Sequence, residues 1–273
     1  QPLHLSDLLP GASGSLAGTL QLRGTPAQPD ITADLRGDGL RWDDWKAGHV
    51  SITGHLPWKG DNGALQVQGS AVEAGLLLDS VRLDARGSVQ NLRLDADVRN
   101  DLAALALGGS VRQAGPAWRG ELAALRVAPA KGAPWQLRQA AAFSVQGGNI
   151  ALGDTCLGSD TGGALCVGAN WPREGVHLRG DALPLALVQP WLPPNAGRRI
   201  YLRGEVTIDG QLRPRGKAWE GSFKVASAEG GIRLGDNARG ELVRYDHFSI
   251  NVDMQPGGIN GYLGVGFQGD GFV

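Results

Sequence analysis

Apolar and polar residues alternate with a period of two along almost the entire chain. In the segment 92–99, for example, leucine, alanine and valine alternate with arginine and aspartate without interruption. Because successive side chains of a strand point to opposite faces of a sheet, this pattern predicts strands with one apolar and one hydrated face. Roughly 20 such runs, separated by turn residues about every 10–14 positions, are typical of an all-β chain.

The alternation alone is compatible with two architectures. In a β-sandwich, the apolar faces of two sheets pack against each other as a dry core. In an elongated, curled sheet of many short strands, the apolar face stays open as a groove, since open sheets rarely exceed about 10 strands without curling. A membrane barrel is disfavoured because its strands need about 9–11 residues and aromatic girdles. The runs here are shorter, and the chain has only three tyrosines.

Two features interrupt the predicted strands. The segment 183–192 (LPLALVQPWL) is the one stretch that reads as helical, and Pro184 and Pro190 bound it, so we expect a short helix there. The chain also contains 43 glycines, more than twice the usual share of about 7%. They punctuate the apolar runs without a fixed repeat, which predicts many turns and bulges.

Charge and residue chemistry argue against several classes of function. The net charge is −1, with 26 basic and 27 acidic residues, whereas a nucleic-acid-binding protein needs a basic face. The nearest approach to a catalytic group is Asp246, His247 and Ser249, but strand parity should turn Asp246 away from the other two. A GxGxxG match at 264–269 has no helix after it, as a dinucleotide loop would require. We therefore expect no enzyme activity, no cofactor and no metal site.

The only two cysteines are separated by a turn-rich loop. Cys156 and Cys166 flank a segment that contains three glycines, so a hairpin within 150–171 would place the two sulfurs opposite each other. A disulfide at this position would close a loop of about 11 residues and would indicate an oxidising compartment. The alternative is a pair of buried free thiols in a reducing compartment.

Several segments, taken in order, resemble the TamB family. Residues 14–42 (GSLAGTLQLRGTPAQPDITADLRGDGLRW) resemble its recurring G-x-L-x-L-x-G-T-x-x-x-P unit. Further similar segments are 117–128 with 135–137, the cysteine-bearing segment 156–171, the Leu-Pro-Leu segment 182–193 and the strand-like 202–212. From about residue 230 the resemblance is looser. Together these segments cover most of the chain.

The resemblance implies a fold and a location. TamB-like proteins belong to the AsmA-like group, and their strands curl into a long, open β-taco with an apolar interior that spans the periplasm of Gram-negative bacteria. Residues 1–273 are then expected to be a single, middle-to-late segment of this groove, excised from a longer chain. The parent protein would be anchored in the inner membrane by an N-terminal helix outside this sequence, and its far end would meet a TamA-like outer-membrane barrel.

The resemblance also implies two alternative functions. In the first, the groove shelters phospholipid acyl chains during transport between the inner and outer membranes. In the second, it is a chaperone-like scaffold for autotransporter and outer-membrane protein assembly with TamA. The groove interpretation fits the physical dimensions, because a strand of 5–6 residues spans about 17–20 Å and one leaflet of a bilayer core is about 15 Å thick.

Side-chain polarity selects the strand faces that would line the groove. The expected lipid-facing residues are Leu20, Leu22, Ile31, Leu35, Val50, Ile52, Val81, Leu83, Leu92, Leu94, Ile200, Leu202, Val206, Ile208, Phe223, Val225, Phe248, Ile250, Val252 and Val265.

Overall fold

The computed structural model describes residues 3–4, 11–73, 75–188, 192, 199–216, 218–235 and 240–267. Most of these residues lie in antiparallel strands, so the all-β prediction is confirmed. The chain divides into two compact units, an N-terminal unit (Gln1–Ala130) and a C-terminal unit (Lys131–Val273). That residues 1–273 form one segment of a longer groove stays a prediction.

The N-terminal unit is an antiparallel meander in which each strand pairs with the next one along the chain. Its strands are β1 (Leu3–His4), β2 (Ser13–Thr25), β3 (Gln28–Trp42), β4 (Trp45–Leu56), β5 (Gly63–Glu73), β6 (Leu77–Ser88), β7 (Asn91–Arg99), β8 (Ala103–Ala114) and β9 (Ala117–Pro129).

The C-terminal unit is also an antiparallel sheet, but at two places a long strand has two short neighbours placed end to end. β10 and β11 both pair with β12, and β16 and β17 both lie between β15 and β18. Its strands are β10 (Trp135–Leu137), β11 (Ala141–Gln146), β12 (Asn149–Ser159), β13 (Ala164–Trp171), β14 (Gly175–Pro184), β15 (Ile200–Arg215), β16 (Ala218–Ser227), β17 (Gly230–Leu234), β18 (Val243–Gln255) and β19 (Gly258–Phe267).

The predicted helix at 183–192 is shorter than expected. Within this segment the structure has one 3-10 turn, Leu185–Leu187, while residues 189–191 lie outside the described residues. Leu183 and Pro184 still belong to β14 and pair with Val206 and Glu205 of β15. The helical assignment was wrong at this end because pairing with β15 holds the chain extended as far as Pro184.

Many strands are longer than the sequence pattern indicated, with 16 residues in β15 and 15 in β3. Glycines that read as turn residues lie inside these strands. Gly54 within β4 has a φ of 131°, and a Cβ atom there would overlap the backbone oxygen of Ala64 on β5. Such glycines allow close approach between strands without ending them.

Three strands share a four-residue irregularity, which we call a crease. Its first residue is a glycine, its third has a positive φ, and its fourth is a branched apolar residue. The segments are 37–40 (GDGL), 69–72 (GSAV) and 180–183 (GDAL), with φ values of 58°, 49° and 47° at Gly39, Ala71 and Ala182. Each crease folds its last side chain back over its first glycine. A Cβ atom at Gly37 would lie 2.8 Å from Leu40 Cδ1, for example. The crease therefore moves one apolar side chain onto the face from which strict alternation would exclude it.

Few large side chains are fully buried in either unit. Apart from Leu56 and Leu183, the buried apolar residues of the described chain are alanines, and the largest side chain with almost no exposure is that of Ser88. Leu22, by contrast, is 66% exposed. A sandwich core would bury its large apolar side chains from both sides. The apolar face of each unit is therefore not covered by a second layer.

The gap where β16 ends and β17 begins is filled by Tyr245 of β18. Its hydroxyl lies 2.9 Å from Ser227 Oγ, and Ser227 donates its own hydroxyl to the Glu205 carbonyl oxygen at 2.7 Å. Since Ser227 has one proton to donate, Tyr245 is the donor to Ser227. A Cβ atom at Gly204 or Gly230 would collide with the Tyr245 hydroxyl, so both glycines make room for this side chain.

We predict that Tyr245→Phe lowers the free energy of unfolding by about 1 kcal/mol, the usual net value of an intramolecular hydrogen bond. The ring, and with it the packing over the two glycines, is retained. Urea unfolding followed by circular dichroism measures the difference. The matched control is Tyr262→Phe on β19, whose side chain is 66% exposed. If the two substitutions lower the free energy of unfolding equally, the Tyr245 hydroxyl does not stabilise the gap between β16 and β17.

Candidate functional site

The predicted groove residues of the N-terminal unit share one face of its sheet. Leu35 lies directly opposite Ile52, and both belong to a transverse row that continues to Leu83. The adjacent strand pairings give the same parity to the remaining predicted residues of this unit. These are Leu20, Leu22, Ile31, Val50, Val81, Leu92 and Leu94.

The predicted residues of the C-terminal unit likewise fall into rows on one face. Ile208, Val225 and Ile250 are direct neighbours across β15, β16 and β18. Phe223 pairs with Val252 in the next row, and Phe248 pairs with Val265. Val206, Leu202 and Ile200 have the same parity along β15 as Ile208. Register thus brings the predicted residues together within each unit, whereas their contact with lipid stays a prediction.

The apolar face of the C-terminal unit is concave and forms a cavity of about 360 Å³. It is lined across β14, β15, β16 and β18, with Phe223 and Val252 among the predicted residues. The sequence-based list of groove residues omitted four of the lining residues, namely Val176, Leu178, Leu212 and Met254. The alternating pattern could have identified them. Val176 and Leu178 precede Gly180 in such a run, Leu212 follows Gly210, and Met254 precedes Gln255.

A glycine on β15 provides the floor of this cavity. Gly210 is buried and lies between Leu178 and Phe223 in the same transverse row. A Cβ atom there would lie 3.1 Å from Phe223 Cδ2 and 3.7 Å from Leu178 Cβ. Any larger residue at position 210 would therefore occupy space that the cavity now contains.

The opposite face of each sheet carries charged side chains paired with one another. On Asp84, Arg82 Nε donates to Oδ2 at 2.7 Å and Gln66 Nε2 donates to Oδ1 at 2.6 Å. These hydrogen bonds, that from Arg82 first, lower the pKa of Asp84 below its ordinary value. The hydrogen bonds that Arg215 and Arg213 donate to Glu220 likewise lower the pKa of its carboxyl. Exposed pairs of this kind stabilise the fold only slightly, but they keep this face hydrated.

Glu241 accepts hydrogen bonds from two arginines. Arg203 donates to both of its oxygens, at 2.6 and 3.1 Å, and Arg244 Nε donates to Oε2 at 2.8 Å. The hydrogen bonds from Arg203 are the main reason that the pKa of Glu241 falls to about 2. Glu241 also lies over Gly231, where a Cβ atom would collide with the carboxylate. This pairing ties the β17–β18 connection to β15.

The cysteines form the predicted disulfide, and the hairpin is β12–β13. Cys156 lies directly opposite Cys166, with a sulfur–sulfur distance of 2.08 Å. Cys166 in turn is the strand partner of Arg179, while the neighbouring Leu165 is the partner of Gly180 on the apolar side. The disulfide therefore lies on the charged face of the sheet and leaves the apolar face unobstructed.

The parity argument about Asp246 and His247 was wrong. Asp246 Oδ1 and His247 Nδ1 lie 3.1 Å apart, because the β18–β19 register shifts between Tyr245 and His247. Both side chains crowd Gly266, where a Cβ atom would overlap them. Both are largely exposed, so the contact is a surface hydrogen bond on the charged face, comparable to His177 with Asp154 at 2.8 Å.

The described part of the chain contains no cluster of His, Cys, Asp or Glu side chains that could hold a metal ion. Among the same residues there is no helix that is both long and apolar enough to cross a membrane.

Comparison with known protein families gives a match over almost the whole length. A family model described as TamB, N-terminal domain, matches residues 2–271, almost the whole chain. The expected middle-to-late position of this segment in the groove stays a prediction. No solved structure matches the chain significantly.

We predict that the contribution of Glu241 to stability disappears in acid. Its folded-state pKa of about 2 lies below the ordinary value of 4.5, so the folded state favours the ionised form. The stabilisation is complete above the ordinary pKa and is lost as the pH falls toward the folded-state value. The melting temperature of Glu241→Gln should therefore lie below that of the native chain near neutrality and converge with it near pH 2. A gap independent of pH would contradict the ion-pair explanation.

We predict separate effects on stability and on the apolar face when the disulfide is removed. The double variant Cys156→Ser, Cys166→Ser should lose up to roughly 3 kcal/mol of unfolding free energy by the chain-entropy model. Binding of an apolar fluorescent dye to the folded protein should be unchanged, because the disulfide lies on the charged face. Altered dye binding by a variant with a native circular dichroism spectrum would refute this separation.

Proposed function

The chain belongs to the TamB family, which indicates a role in the cell envelope, and we propose that it shelters phospholipid acyl chains for transport between the inner and outer membranes. In this proposal it lies in the periplasm of a Gram-negative bacterium. Its parent protein is attached to the inner membrane and reaches a TamA-like barrel in the outer membrane. The role is that of a conduit, without catalysis or a cofactor.

The observation that carries the proposal is the uncovered, concave apolar face of the C-terminal unit. Its cavity of about 360 Å³ falls within the size range of small-molecule sites, roughly 300–1,000 Å³. Exposed apolar patches of this kind in water mark a site for an apolar partner. Leu178, Phe223 and Val252 offer dispersion contacts without hydrogen-bonding groups, which suits a hydrocarbon chain that must also be able to move on.

The long strands support the same function. An eleven-residue or longer strand spans more than about 35 Å at 3.4 Å per residue, whereas one leaflet of hydrocarbon is about 15 Å thick. The apolar face can therefore shelter an acyl chain over part of its width and leave a headgroup in water.

A second candidate function is a chaperone-like scaffold for autotransporters and outer-membrane proteins. The observation that favours it is β19, on which Ile259, Leu263 and Phe267 are 63–65% exposed. An exposed apolar strand can hold an unfolded client by strand addition. If this candidate is correct, the purified chain slows the aggregation of an unfolded outer-membrane barrel protein. The lipid proposal does not require this effect.

We predict that Gly210→Leu reduces phospholipid uptake several-fold. The backbone at this position is not in the left-handed region, and Phe223, the closest neighbour, is a side chain that can shift by a few tenths of an ångström. The leucine should therefore fill the cavity without breaking the sheet. After incubation with phospholipid vesicles, native mass spectrometry and lipid extraction give the amount of lipid retained per chain.

The matched control is Lys224→Leu on the neighbouring strand β16. Lys224 lies opposite Asp209, so it has the parity of the charged face, and it is not among the residues that line the cavity. A leucine there should not obstruct bound lipid. If a folded Gly210→Leu variant retains as much lipid as the native chain, or if both variants lose the same amount, the cavity is not the lipid-binding site. A native chain that takes up no lipid would remove the proposal itself.

A further inference from the structure

The apolar face of the C-terminal unit differs between its two ends along the strand direction. Leu183 at one end is only 8% exposed, whereas Leu212 and Trp219 at the other end are 38% and 47% exposed. The cavity is lined by Leu212 at the more exposed end but not by Leu183. We call the less exposed Leu183 end the closed end and the Leu212–Trp219 end the open end.

The closed end is built by the crease at 180–183. Gly180 lies opposite Ile208 and would leave a gap in its row. Leu183 fills this gap, since a Cβ atom at Gly180 would lie 2.6 Å from Leu183 Cδ1. The same side chain also reaches Gly163 in the β12–β13 loop, 3.1 Å from a Cβ atom placed there. Leu183 thus covers the apolar face at this row.

The open end is framed by two indoles. Trp171 and Trp219 have ring centroids 5.4 Å apart and an interplanar angle of 38°, although β13 and β16 are separated by β14 and β15. By register both lie one step beyond the row of Val176 and Leu212, which line the cavity. Tryptophan combines an apolar ring with a polar N–H group and favours the boundary between hydrocarbon and water.

The length between the ends fits one acyl chain. From Leu212 to Val206 along β15 is six residues, or about 20 Å at 3.4 Å per residue. A single leaflet of bilayer hydrocarbon is about 15 Å thick. A chain inserted from the open end would therefore reach the region of Ile208 with its headgroup still at the indoles.

We propose that this cavity and the adjoining Gly180–Ile208 row hold a phospholipid acyl chain in one direction, with the headgroup at the Trp171–Trp219 rim and the terminal methyl group at Leu183. This inference rests on the proposed function and adds an orientation to it. The binding site is accordingly a pocket with a fixed entrance, rather than a uniform stretch of apolar surface.

Photolabelling tests the orientation. The purified 273-residue chain is loaded with phosphatidylethanolamine that carries a diazirine either next to the acyl ester or next to the terminal methyl group, and the labelled residues are mapped by mass spectrometry. The ester-proximal probe should label Leu212 and Trp219, and the methyl-proximal probe should label Ile208 and Val225. Asp209 and Lys224, on the same strands with the opposite parity, are the internal controls.

The outcomes separate the orientation from the function beneath it. Reversed labelling, or the same distribution from both probes, overturns the fixed orientation while lipid binding stands. Labelling confined to Asp209, Lys224 and other residues of the charged face, or no labelling by either probe, overturns the proposed function and the orientation with it.

Discussion

The fold depends on the register of its antiparallel backbone hydrogen bonds. Large apolar side chains remain partly exposed, and alanine supplies most of the buried apolar residues, so the sheet cannot rely on a dry core of the usual density. Backbone pairing keeps rows such as Leu35, Ile52 and Leu83 on one face. A slip of one residue in any pair of strands would move a whole apolar set to the charged face. The charged rows oppose such a slip, because it would place arginine and aspartate among leucines.

The strands depart from strict alternation at the three creases, where a side chain moves from one face of the sheet to the other. At the three creases, a residue with positive φ turns the next branched side chain back over a glycine, as Leu183 does over Gly180. Two of these residues are alanines, Ala71 and Ala182, in a conformation that usually favours glycine. The surrounding strand pairing must therefore hold them there. Each crease thus adds a branched apolar side chain above the apolar face, which strict alternation with a period of two would not do.

Much of the fold could be predicted from the sequence, because alternation is a direct consequence of strand geometry. The predicted groove residues share a face within each unit for this reason, and the disulfide follows from two cysteines on either side of a turn. Strand ends were harder to predict. Gly54 has a φ of 131° but lies inside β4 in regular register with Ala33 and Leu65, and sequence alone does not separate such a glycine from one in a turn. The contact of Asp246 with His247 was missed because it depends on a register shift, a property of two strands rather than one.

The cavity was the part of the candidate site that was hardest to predict, because it depends on the absence of a side chain at one position. Gly210 contributes to it only by having no side chain, and the signal in the sequence is one glycine among 43. Its neighbours Leu178 and Phe223 come from strands on either side of β15 and meet only through the pairing. The stabilising groups of the C-terminal unit are arranged consistently with an accessible apolar face: the disulfide and the Arg213–Glu220 pair have the parity of the charged side. A sheet that must present hydrocarbon-binding surface to water cannot place its stabilising polar groups on that surface, and so the charged face carries them.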